Sequence, residues 1–100
     1  MDSFADFNAS LSENAPPIIS KYLQALWYDA KGNWEKAHDI AQDISDQYGS
    51  WIHAYLHRKE GDHWNANYWY QRAGKVMPSK TLDEEWSDLV HQFLDNEGHV

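Results

Sequence analysis

His53 and His57 stand four residues apart within Trp51-Ile52-His53-Ala54-Tyr55-Leu56-His57-Arg58. On a helix that spacing puts both imidazoles on one face, where they could share a metal ion. Two ligands do not complete a site, and a third would have to come from Glu60, His63 or an acid on another helix. The residue after His53 is Ala54, so the catalytic glutamate of the zinc-protease pattern is missing. Packed, hydrogen-bonded imidazoles explain the pair with fewer assumptions. The expectation is therefore no cofactor and no metal, with a small metal-binding protein or enzyme centred on His53 and His57 kept as the alternative.

His38 beside Asp39, and His91 between Asp88 and Asp95, pair imidazole with carboxylate and suggest acid–base chemistry. A nucleophile to go with them is lacking. Ser45, Ser50 and Ser87 sit in no glycine-flanked elbow, and the chain has no glycine-rich phosphate cradle. Chance pairing on a charged helical surface accounts for these pairs, and a non-catalytic protein is expected. The other conspicuous cluster is aromatic. In Tyr68-Trp69-Tyr70, three consecutive helical residues span about 200° of arc, so one of them must face away from the core. Tyr68 is that residue, with Arg72 four positions on to stack over its ring.

These side chains have to be positioned by a chain of only 100 residues, enough for one core. Eight basic against sixteen acidic residues give a net charge of −8, which disfavours nucleic acid as a partner. With six Trp and six Tyr the chain has the apolar surface to fold, and its negative mean hydropathy reflects how the scale treats those two residues. The absence of cysteine removes disulfides, thiolate zinc sites and thiol nucleophiles together. The first residues lack the basic start and apolar stretch of a secretory signal, and no apolar run has membrane-spanning length. A soluble cytoplasmic protein with no membrane partner is the expectation.

Sliding the sequence against itself by 29 residues lays Ala25 on Ala54, Gly32 on Gly61 and Ala37 on Ala66. Each copy reads helix, glycine turn, helix, with Asn33 or Asp62 capping the second helix. Periodicity predicts a helix over about 16–31 starting at Pro16-Pro17, and a second from Trp34 to near Tyr48-Gly49. A third follows from a Ser50 cap to about Glu60, and a fourth runs over about 62–77, stopped by Pro78. A fifth begins at Thr81, which forms a capping box with Glu84 and carries Leu82, Trp86, Leu89, Val90 and Phe93 on one stripe. Its end is expected between Asn96 and Gly98. Phe4, Phe7 and Leu11 in residues 1–15 fit either a short helix or a loose arm. The fold class is all-α in one domain: an arm at 1–15, two hairpins over 16–80 and an acidic cap over 81–100. That cap holds Asp83, Glu84, Glu85, Asp88, Asp95 and Glu97, expected on its outward face.

The hairpins resemble tetratricopeptide repeats, most clearly over 47–80, where Ala54, Gly61-Asp62, Ala66, Tyr70, Ala73 and Pro78 fit the pattern. The first copy keeps Ala25, Tyr28, Gly32, Trp34 and Ala37 but has Ile44 where a small residue is usual. Its 29-residue offset is shorter than the usual ~34. Ala25–Gly32 together with Trp51–Arg58 also looks like a family of small bacterial proteins of unestablished function. The tetratricopeptide resemblance implies a concave surface formed by the first helix of each pair, with Tyr22, Leu26 and Asp29 from one and Trp51, Tyr55, Arg58 and Lys59 from the other. Such a surface could grip a protein or peptide segment, Arg58 pairing with a carboxylate. The competing reading fills the groove with Phe4, Phe7 or the fifth helix. Residues 48–80 carry a net +3 and 81–100 a net −6, so the basic middle meets either the acidic helix of its own chain or an acidic partner. Homodimerisation through surplus Trp and Tyr is a third reading.

Overall fold

The computed structural model describes residues 3–97, and the side chains of residues 3–95. Six helices and no strand are present among them: α1 Phe4–Ser10, α2 Lys21–Ala30, α3 Trp34–Gln42, α4 Gln47–Glu60, α5 His63–Arg72 and α6 Leu82–Glu97. The chain is all-α, and none of these helices is long and apolar enough to cross a membrane. Gly98, an alternative end for the last helix, lies outside the described residues.

Two hairpins, α2–α3 and α4–α5, turn in the same way. Gly32 and Gly61 take left-handed φ of +83° and +88°, a conformation in which a side chain would be strained. Asn33 and Asp62 then accept the backbone N–H of Lys36 and Asn65, each at 3.2 Å, starting the return helix. Ala25, Ala37, Ala54 and Ala66 are fully buried, so the helices approach closely where these small side chains recur. The capping box at α6 is formed in both directions, Thr81 N–H to Glu84 Oε1 at 2.9 Å and Glu84 N–H to Thr81 Oγ1 at 3.1 Å.

Helix boundaries depart from the periodicity in three places. Residues 16–20 lie outside the helix that was expected to include them; Ser20 is the cap, its hydroxyl accepting from Leu23 N–H at 3.2 Å. Pro17 keeps Pro16 out of the helical region, and Ile18 projects into solvent. α3 ends at Gln42, and α4 starts at Gln47 rather than after Ser50, because Asp46 accepts the Gly49 N–H at 2.9 Å. Gly49 therefore lies inside α4. A Cβ there would stand 2.2 Å from the Ile44 carbonyl oxygen, so only glycine lets the α3–α4 connection pass this close. α5 ends at Arg72, before Pro78; Gly74 at φ +72° turns the chain away, and Gln47 donates to the freed Ala73 carbonyl at 2.6 Å.

The N-terminal segment forms a helix, capped by the Ser3 hydroxyl on Asp6 N–H. Phe7 is fully buried, and Phe4 meets Trp86 edge-on at 5.8 Å and stacks on His91 at 4.6 Å. α6 lies across α2 and α4 with Leu89, Val90 and Phe93 in the core, and the Trp86 indole donates to the Leu26 carbonyl at 3.1 Å.

Candidate functional site

The face bearing Tyr22, Leu26, Trp51, Tyr55, Arg58 and Lys59 packs against α6 and α1, so the expected open groove is largely covered, with Tyr22, Trp51 and Arg58 half-buried and Lys59 exposed at its edge. Leu26 is fully buried and Tyr55 is 2% exposed. Tyr22 stacks on Phe93 at 4.6 Å and donates its hydroxyl to Asp46. Two buried carboxylates tie this face together. Glu85 of α6, 1% exposed, accepts from the Tyr70 hydroxyl at 2.6 and 2.7 Å, the Trp51 indole at 3.1 Å and Arg58 at 2.9 Å. Asp29 of α2 accepts from Tyr55 at 2.8 Å and Lys59 at 2.9 Å. Arg58 does bind a carboxylate, but one supplied by its own chain, and Lys80 likewise pairs with Asp88. Glu85 is thus not part of an outward acidic face. Burial, together with hydrogen bonding to the two carboxylates and their charge, raises the pKa of both Tyr55 and Tyr70.

Two arrangements lie away from that face. On the outer side of α5, Trp64 is 77% exposed and Tyr68 45%. Their rings are nearly parallel, 10° apart in plane and 6.4 Å between centroids, and Arg72 sits over the Tyr68 ring at 5.8 Å and the Trp69 ring at 5.3 Å. Residues 64, 68 and 72 recur every four positions and so form one stripe on the helix. Tyr68 and Arg72 stand as the sequence predicts; Trp64 completes a stripe that the i, i+4 spacing already contained.

The second arrangement joins α3 and α4. His38, His53 and His57 come together with one ligand nitrogen from each, all within 4.8 Å of one another. His53 is buried against the face of Trp69, ring centroids 4.0 Å apart, and His38 stacks on Trp34 at 4.9 Å. The Trp34 indole is itself fixed by the Leu56 carbonyl at 2.8 Å. His57 has 12% of its side chain exposed, and its Nδ1 lies 2.7 Å from Glu60 Oε2. Among the described residues, no side-chain hydrogen bond reaches His38 or His53. Burial, then the neighbouring histidines, drives the His53 pKa down to about 3; burial also lowers that of His38. Both rings are therefore neutral at physiological pH.

Of the third ligands considered from sequence, His63 is exposed on α5 and Glu60 bonds to His57, while His38 fills the place. Its signal was available: His38 follows Ala37 and precedes Ala41 by three, on a helix whose small residues bring it against α4. His91 does not form an imidazole–carboxylate pair; its Nδ1 is 2.8 Å from the Ser87 carbonyl. Comparison with protein-family models, curated proteins and solved structures finds no match to this chain.

Proposed function

We propose that the protein is a non-catalytic, tetratricopeptide-like interaction module that binds an acidic peptide segment of a partner through the outer face of α5. The observation that carries this reading is the stripe of Trp64, Tyr68 and Arg72, two large aromatic rings and a guanidinium held in solvent without burying the core. Trp, Tyr and Arg are the side chains that dominate binding at protein interfaces, since they offer broad contact area with little entropy to lose. The segment 63–75 contains Arg72 and Lys75 and no acid, in a chain of net charge −8, so its local potential favours an acidic ligand. The concave face is a less suitable surface because α6 already fills it with matching aromatic and acidic groups.

The test is selection of a displayed random-peptide library on the full chain. Enriched peptides should pair Asp or Glu with apolar residues. They should lose at least ten-fold in affinity against Trp64→Ala/Tyr68→Ala and Arg72→Gln, with unchanged helicity and melting temperature, and bind more weakly as salt rises. Peptides that bind those variants as well as the parent, or that bind only when α6 is displaced, would refute it. A concentration-dependent mass abolished by the same substitutions would make a second copy the partner instead.

A further inference from the structure

We infer that His38, His53 and His57 form a binding site for one divalent transition-metal ion, of the zinc, nickel or copper class, between α3 and α4. The inference stands apart from the α5 surface and uses none of its stripe. Three nitrogen donors within 4.8 Å of one another leave a point no more than about 2.8 Å from all three, against a metal–imidazole bond of ~2.0–2.1 Å. Binding therefore draws each nitrogen inward by no more than about 0.8 Å. Three imidazoles and no thiolate suit borderline metals rather than magnesium or calcium, which prefer oxygen ligands.

The surroundings do what a metal site requires. With Nδ1–H of His57 donating to Glu60, Nε2 of that ring is left as the lone-pair atom, and the carboxylate holds the ring in place. His53 cannot turn freely, because the Trp69 face packs against it; His38 is held in the same manner by Trp34. His38 and His53 each offer a ring nitrogen to the cluster, and no side-chain donor uses it among the described residues. His38 is only half-buried, which leaves an entry path from its side. Three protein ligands leave a fourth position for water or a small anion.

The experiment is titration of the chelator-stripped full chain with Zn2+ by calorimetry and with Cu2+ by quenching of tryptophan fluorescence, Trp34 and Trp69 being the adjacent fluorophores. Saturation at one ion per chain is expected, with affinity falling at least ten-fold in each of His38→Gln, His53→Gln and His57→Gln. Glu60→Gln should weaken binding by about 10–100-fold, as for other carboxylates that orient a metal-bound histidine. His63→Gln and His91→Gln should bind as the parent does. Should His53→Gln fail to fold, the half-exposed His38→Gln carries the test. Failure to reach stoichiometric binding, or binding that survives His38→Gln unchanged in a folded chain, would overturn the inference and leave the three rings as aromatic packing.

Discussion

Replacing Glu85 with alanine should be among the most damaging single changes to this chain. The carboxylate is 1% exposed and takes hydrogen bonds from Tyr70, Trp51 and Arg58, which belong to α5 and α4 while Glu85 belongs to α6. Among the described residues, its removal leaves the Arg58 guanidinium with only the Lys80 carbonyl, at 2.5 Å, and leaves two further donors without their acceptor. Breaking a buried charge pair in this way costs about 3–5 kcal/mol, mostly because the surviving charge stays buried. Arg58 keeps 15% of its side chain in water, which places the expectation near the lower end, about 3 kcal/mol. For a domain of this size that lowers the melting temperature by roughly 12–24 °C. Glu85→Gln keeps the shape and an acceptor oxygen and should cost about half as much. Urea unfolding followed by tryptophan fluorescence measures both, and the Glu85→Ala/Arg58→Ala double variant should lose less than the sum of the single changes. A cost below about 1 kcal/mol for Glu85→Ala would refute the claim that this carboxylate fastens α6 to the hairpins.

Two further outcomes follow from the same geometry. Tyr55 and Tyr70 are held protonated in the folded chain, so stability is complete below the unfolded phenol value of 10.0 and is lost as pH rises above it. At about pH 11 the two phenols together should remove roughly 2–3 kcal/mol. Spectrophotometric titration should show them ionising only with unfolding, and reversible ionisation of all six tyrosines in a native fold would contradict this. Gly49→Ala forces a Cβ against the Ile44 carbonyl oxygen and should cost about 2 kcal/mol or more in urea unfolding, whereas alanine is ordinarily favoured within a helix. A stability equal to the parent would show that the α3–α4 connection yields.

Much of the architecture was readable because it depends on local chemistry. Gly32-Asn33 and Gly61-Asp62 specify their turns by backbone freedom and a short capping side chain, and Thr81 with Glu84 specifies the start of α6. The recurring alanines mark where helices touch. The start of α4 was not readable in the same way: Asp46 and Ser50 are both good caps, and the choice falls to Gly49, whose need to pass Ile44 is a tertiary constraint. Glu85 resembled its acidic neighbours on α6, and only the packing of α6 against Tyr70 and Trp51 makes it a buried acceptor. The His53–His57 pair follows from helical spacing, yet the third ring, His38, comes from the preceding hairpin and is brought in by the contact between α3 and α4. On the expected concave face, the polar groups of Trp51, Tyr55 and Arg58, expected to meet a partner, are instead bound by Glu85 and Asp29 of the same chain.

Hydroxyl-radical footprinting read by mass spectrometry tests most directly whether α6 seals that face and leaves α5 as the open aromatic surface. Trp64 and Tyr68 should be oxidised rapidly, with Tyr55, Tyr70 and Trp27 protected in the native chain and labelled only on unfolding. Oxidation of Tyr55 at the rate seen for Tyr68, under conditions where the helices remain intact, would contradict the account.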